Sequence, residues 1–365
     1  MSLSASLGPI RSTVPREAGA HHPAQSYKHL RDTMRDAGLM RHTPVFYWLV
    51  LGGLILAFGG LVTGFILLGD SWFQLLIAGG LGILFTQVAF VGHEATHRQV
   101  FPGWKANEAL GRTLSVITGI SYDWWMQKHT RHHGAPNQVG ADPDIDPDTV
   151  VFTDEDAAKL SGLHGAFVRR QGWLFFPLIL LEGLNLHRLS FAYLAKPSTT
   201  AKYRWLEFSL LILRHAAVLS AVFLTLPLGM AFAFLGVQLG VFGFYMGAAF
   251  APNHVGMPVI PADQNLDFLR RQVLTSRNLK GGWWATVLYG GLNHQVEHHL
   301  FPTMSRPKLA RAREIVREFC QREGVLYTEE SVGLAYRNVI GALNRIGMHA
   351  VDPFTCAMAS AYRRR

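Results

Sequence analysis

Four stretches of the chain are apolar over lengths that cross a bilayer. Pro44–Leu68 and Trp72–Phe90 are separated only by the tight turn Gly69-Asp70-Ser71, and Trp205–Leu226 and Leu228–Phe250 meet at Pro227. About 20 apolar residues suffice for a helix to span the hydrocarbon core. The pattern therefore predicts an all-α integral membrane protein with four transmembrane helices arranged as two hairpins. Between the pairs, Ala106–Tyr122 carries Glu108 and Arg112 and is expected to lie along a surface; in Gln171–Leu194 the apolar run Trp173–Leu181 is too short to cross and contains Pro177. Residues 1–43 are polar, with Pro9, Pro15, Pro23 and six Lys/Arg, and read as an irregular tail without a signal peptide. Past residue 250 the chain turns polar again. Ser305 is placed to N-cap a helix Pro307–Arg322 whose Arg311, Arg313, Glu314, Arg317 and Glu318 make a solvated face.

Composition agrees with several membrane spans: 49% of the 365 residues are hydrophobic and the mean hydropathy is +0.15. The net charge of +9 suits anionic lipid or an acidic protein, and no nucleic-acid motif accompanies it. Of the 34 Lys and Arg only Arg214 falls inside a span, and neither outer turn holds one. By the positive-inside rule the tail, the middle segment and the C-terminal region share the cytosolic side, which in a bacterium means the inner face of the plasma membrane. Arg214 either snorkels to the near interface or contacts a substrate or partner. Trp124-Trp125 and Trp283-Trp284 suit an interfacial aromatic belt or ordinary core packing. Cys320 and Cys356 are too few and too far apart for a disulfide scaffold or an iron–sulfur cluster.

The anomaly is histidine, 17 residues in all. His93-Glu94-Ala95-Thr96-His97 follows the second span; on a continuing helix its two imidazoles stand one above the other. A second cluster is His129-Thr130-Arg131-His132-His133, and a third is Asn293-His294-Gln295-Val296-Glu297-His298-His299-Leu300-Phe301-Pro302. His254, in Asn253-His254-Val255-Gly256, stands just beyond the fourth span. Imidazole suits iron, zinc and copper, and one ion takes only four to six ligands, so this many histidines imply two metals. His21, His22, His29 and His42 lie in the tail, where the default is no role. A rival reading takes His93-Glu94-x-x-His97 as the H-E-x-x-H of a zinc protease with Glu94 as general base. It leaves the other clusters idle. The acidic run Asp142–Asp148 resembles a calcium loop but places Pro147 where glycine is required, so it reads as a solvated turn.

Taken together, His93-x-x-x-His97, His129-x-x-His132-His133 and Gln295-x-x-His298-His299, in this order and with membrane hairpins between, resemble the membrane-bound fatty acid desaturase family. The likeness covers residues 44–325, leaving 1–43 as a cytosolic tail and 326–365 as a basic extension. The glutamine-containing third box with Leu300-Phe301-Pro302 is similar to front-end and related acyl-lipid desaturases. The resemblance implies a cytosolic helical cap holding two non-heme irons through His93, His97, His129, His132, His133, His254, His298 and His299. His294 departs from the family, which has an aromatic residue there, and its role stays open with those of Gln295 and Asn253. Glu94 and Glu297 are the carboxylates nearest in sequence for orienting the imidazoles.

The implied reaction uses O2 and two external electrons to remove two hydrogens from adjacent carbons of a long acyl chain, giving a cis double bond and water. A hydroxylase or ketolase of the same superfamily remains the near alternative. The sequence shows no His-Pro-Gly-Gly heme segment and no dinucleotide fingerprint. A separate donor, an acidic ferredoxin or cytochrome b5, is therefore expected to meet the basic face. The substrate is an acyl chain carried by coenzyme A, acyl carrier protein or membrane lipid.

Overall fold

A computed structural model describes residues 23–350, so His21, His22 and Cys356 lie outside the described residues. The chain is mostly helical. Four helices are long and apolar enough to cross a membrane: α2 (Pro44–Leu68), α3 (Gln74–Thr96), α10 (Arg204–Thr225) and α11 (Leu228–His254). Before them comes α1 (Pro23–Asp36). Between the pairs lie α4 (Trp104–Thr118), α5 (Tyr122–Gly134), α6 (Asp154–Ala158), α7 (Gly162–Val168), α8 (Gln171–Ile179) and α9 (Glu182–Ala195). Beyond α11 follow α12 (Phe268–Leu274), α13 (Trp283–Leu288), α14 (Gln295–Leu300), α15 (Arg306–Arg322) and α16 (Val332–Gly347). Two short strands, β1 (Asn278–Lys280) and β2 (Glu329–Ser331), pair in parallel.

The apolar helices divide into exposed and buried ones. Along α2 the side chains of Leu49, Ile55, Leu56, Ile66 and Leu67 are exposed, as a lipid-facing helix requires. The second half of α3 is buried from Leu84 to Ala95, because α11, α4 and α2 all pack on it. Its Gly82 lets α11 approach: an added Cβ would lie 2.8 Å from the Gln238 carbonyl.

Several expectations change. Pro23–Asp36, read as irregular, is a helix because Leu30 and Met34 fall on one face, and both are buried against α12, α14 and α15. The 171–194 segment is two helices bent by 74° at Leu180–Leu181, apolar enough together to form one broken span. Pro177 sits inside the first of them rather than at the bend. Ser305 does precede α15, but its hydroxyl donates to the Gln99 carbonyl (3.0 Å) instead of capping the helix.

Arg214 is engaged within the fold. Its Nε donates to the Ile117 carbonyl (3.2 Å) while His187 Nε2 donates to the Thr118 carbonyl (2.9 Å). These are the last carbonyls of α4, which lack intrahelical partners, so the two side chains cap that helix. Beyond the fourth apolar helix, Arg277 is buried, donates to the Pro252 carbonyl (2.9 Å) and pairs with Glu330 (3.0 Å). It thereby ties the C-terminus of α11 to β2. The helix after β2, α16, packs along α8 and α11.

Candidate metal centre

The C-terminal ends of α3 and α11 and the helices α5 and α14 converge on one place. Two groups of imidazoles form there, each with ligand atoms within 4.8 Å of one another: His93, His97, His129, His133 and His298 in one, His132, His254 and His299 in the other. Helix geometry explains the division. His129 and His133 are four residues apart and share a face of α5, whereas His132 is turned about 100° away from His133. His298 and His299 split in the same way on α14. Each His-His doublet thus reaches into both groups.

The residues fit a pair of metal ions. Nε2 of His93 and of His97 lie 2.9 and 2.8 Å from Nε2 of His129, and Nε2 of His132 lies 3.3 Å from that of His254. Two nitrogens bound to one ion at about 2.0–2.1 Å and at right angles would stand about 3 Å apart. Nε2 of His133, His298 and His299 are buried without a hydrogen-bond partner. Buried polar atoms without partners are rare in folded proteins, and here they converge.

Outer contacts set the tautomers. His132 Nδ1 donates to Asp142 (3.0 and 3.1 Å), His254 Nδ1 to the Thr275 carbonyl (2.9 Å), and His299 Nδ1 to Gln272 Oε1 (2.8 Å). A proton fixed on Nδ1 leaves Nε2 as a free lone pair toward the centre. Gln272 also donates to the His133 carbonyl (2.9 Å), so this fully buried amide touches both groups.

Burial, reinforced by neighbouring imidazoles, holds His129, His133, His298 and His299 well below the ordinary histidine range, and brings His97 down to about 3. His132 moves the other way: burial alone would lower it, but the charges of Asp144 and Asp142 prevail and raise it. Asp144 itself falls to about 2, since Lys128 (2.7 Å) and His132 together overcome its burial.

Glu94 and Glu297 do not orient the imidazoles. Both oxygens of Glu94 are held by Arg306 (2.8 and 2.6 Å), with the Tyr47 hydroxyl at 3.1 Å. Glu297 accepts from Asn278 (2.7 Å) and Tyr327 (2.9 Å), and burial lifts it to about 7. Both sit on helix faces turned to other partners. The orienting groups, Asp142, Gln272 and the Thr275 carbonyl, were missed. Asp142 carried a signal, because it opens the acidic run that resembled a calcium loop, nine positions after the second box. Gln272 carried none.

His294 joins neither group; its Nε2 is 3.5 Å from Thr286 Oγ1 and its Nδ1 is buried without a partner. Burial, then the Arg313 charge, lowers it to about 4. Gln295 Nε2 lies 2.9 Å from His254 Nε2, and Asn253 donates to Gln295 Oε1 at 3.3 Å. His29 and His42 stand outside the groups, His42 Nδ1 meeting the Gln99 carbonyl at 3.3 Å.

A cavity of about 1100 Å3 opens onto the centre. His93, His129, His132 and His254 form one side of it, and Trp125, Phe152, Phe175, Ile179, Met246 and Phe250 line its apolar walls. Trp125 stacks on His129 (centroids 5.2 Å, planes 18° apart). Trp124 and Trp125 therefore belong to the core around the site, while Trp283 and Trp284 are exposed on α13.

The family model described as fatty acid desaturase matches residues 70–331. An acyl-lipid 8-desaturase of Rebecca salina is 30% identical over 261 residues, 70% of this chain and 59% of that protein. An acyl-lipid (9-3)-desaturase of Physcomitrium patens is 27% identical over 74% of this chain and 53% of its own length. The Delta(6)-fatty-acid desaturase of Caenorhabditis elegans is 26% identical over 89% and 75%. The chain spans little more than half the length of the first two relatives. With a matched stretch running from the second apolar helix through all three histidine boxes, the chain belongs to the fatty acid desaturase family.

Proposed function

We propose that the protein is an O2-dependent acyl desaturase of the membrane, with two irons held by His93, His97, His129, His133 and His298 in one group and His132, His254 and His299 in the other. The observation that carries this reading is the convergence of eight imidazoles beside a large cavity with apolar walls at Trp125, Phe175, Met246 and Phe250. Its size exceeds the roughly 300–1,000 Å3 of common small-molecule pockets, which suits a long chain. In this reading the four apolar helices form two hairpins with the metal centre and its helical cap on the cytosolic side, an orientation that the distribution of Lys and Arg supports.

The iron pair, when bound, would supply the O2 chemistry that an unactivated methylene requires. The stoichiometry is R–CH2–CH2–R′ + O2 + 2 electrons + 2 protons giving R–CH=CH–R′ + 2 water, so two of the four electrons reaching O2 come from an external donor. The protein's own residues do the rest. Asp142, Gln272 and the Thr275 carbonyl hold imidazole protons on Nδ1. Trp125, Met246 and Phe250 exclude water and fix which carbons of the chain lie against the histidines. Relatives named acyl-lipid desaturases support an acyl chain carried on lipid.

The zinc-protease alternative needs Glu94 free to act as base; with both oxygens engaged by buried Arg306, it is not. The test is to feed labelled fatty acids to cells expressing the protein and its His132→Ala variant, then locate new double bonds by mass spectrometry. A new cis alkene with the wild type alone is expected. An alcohol or ketone would transfer the reading to the hydroxylases, and about one zinc per chain without iron would end it.

A further inference from the structure

A second, much smaller cavity lies between α3 and α4, with a volume of about 30 Å3. Ala89, Gly92 and Thr96 line it from α3, and their spacings of three and four put them on one helix face. Leu114, Ser115 and Thr118 line it from α4. One water needs roughly 10–15 Å3, so a diatomic molecule fits here and an acyl chain does not. Gly92 keeps part of the space open: an added Cβ would stand 3.6 Å from Leu114 Cβ, in ordinary contact and without a clash.

The walls give water little to bind. The Thr96 hydroxyl donates to the His93 carbonyl (2.6 Å), and the Thr118 hydroxyl to those of Leu114 and Ser115 (3.1 and 3.0 Å). Among the described residues, no buried side-chain nitrogen or oxygen that lacks a partner lines this cavity. A cavity water needs two to four polar partners, and cavities without them stay dry and take up apolar guests such as xenon.

His93, Trp125, Met246 and Phe250 line both cavities, so they form the partition between them. The Phe250 ring stands 6.2 Å from that of His93 and 6.0 Å from that of Trp125. The small cavity therefore meets the group of five imidazoles at His93, with a wall of side chains between it and the larger one.

We propose that this small cavity is a holding site for O2, filled without passing through the space that the acyl chain takes. The inference rests on the desaturase reading, in which the chain occupies the larger cavity while O2 must still arrive. O2 is apolar and dissolves more readily in hydrocarbon than in water. Because α3 is long and apolar enough to cross a membrane, the bilayer is the source of the gas. Chain and O2 then bind in either order.

The experiment uses iron-loaded protein and two probes, xenon and O2. Crystals of the wild type, Gly92→Ala and Gly79→Ala are pressurised with xenon, and turnover of each is measured against O2 concentration. Gly79 is the control, on the same helix with nothing within 4 Å of an added Cβ. Wild type and Gly79→Ala should show xenon beside Gly92, and Gly92→Ala should lose it. One methyl in an apolar pocket is worth about tenfold, so Gly92→Ala should raise KM for O2 about tenfold, with kcat at saturating O2, KM for the acyl substrate and iron content unchanged. Ser115→Val, which fills the cavity from α4 and leaves the helix of His93 untouched, should reproduce both effects. Absence of xenon from the small cavity of the wild type, or an O2 dependence that neither filling variant alters, would overturn the proposal. Xenon is read without turnover, so a wild type that binds it there yet forms no alkene counts against the desaturase reading and leaves the gas site standing.

Discussion

Replacing Gln272 by leucine removes the acceptor for His299 Nδ1 and the donor to the His133 carbonyl in one step, at a fully buried position. Leucine matches the volume but offers neither atom. A buried donor left without a partner costs about 1–3 kcal/mol, and each 1.4 kcal/mol is about tenfold in an equilibrium constant. The group His132, His254 and His299 should then hold iron about 10–100-fold more weakly, in line with losses of outer partners at other metal sites. Iron retained against a graded chelator, measured by plasma mass spectrometry, reads this directly. Gln272→Glu keeps an acceptor for His299 and loses only the donation to His133, so its affinity should lie nearer the wild type. A Gln272→Leu protein that holds both irons as tightly as the wild type would show that the imidazole is oriented by its backbone alone, and the reasoning would fail.

Arg306→Met leaves Glu94 buried beside Tyr47 with no counter-charge, and should cost about 3–5 kcal/mol of stability. A thermal melt in detergent measures it, and adding Glu94→Gln should recover much of the loss. In the metal-free protein, histidines such as His97, at about 3 when folded, titrate near 6.5 when unfolded. The unfolded chain then binds more protons as pH falls. Stability should be full above about 6.5 and decline below it, with the decline visible in melts between pH 8 and 5. Removing iron from the loaded protein should lower its melting temperature. Iron at about 100 times its dissociation constant contributes about 2.7 kcal/mol, and His132→Ala should show a smaller response while remaining in the membrane fraction.

Much of this was legible because lipid demands long apolar runs: the four helices stand within a few residues of the hydropathy boundaries. The i, i+4 spacing of His93 and His97, and of His129 and His133, likewise shows which imidazoles share a helix face. Partners across long sequence separations were not legible. Glu94 stands between two box histidines, yet a side chain 212 positions away takes both its oxygens. Gln272 serves His299 from a helix whose sequence holds no sign of that task. The α1 helix was hidden because its polar composition masks two well-spaced apolar residues, Leu30 and Met34, which only tertiary packing rewards.

The bent pair α8–α9 meets α11 at glycines: a Cβ on Gly243 would stand 2.3 Å from the Gly183 nitrogen and 2.7 Å from the Ile179 carbonyl. Main chain touches main chain there, and the two surfaces in contact also carry Ile179, Leu186, Met246 and Phe250 into the cavity. The width of the channel is consequently a fixed gauge, set by backbones that cannot approach further. On the desaturase reading, changing where along a hydrocarbon tail the reaction falls is then a matter of swapping the studs on the rails, while the rails keep their spacing.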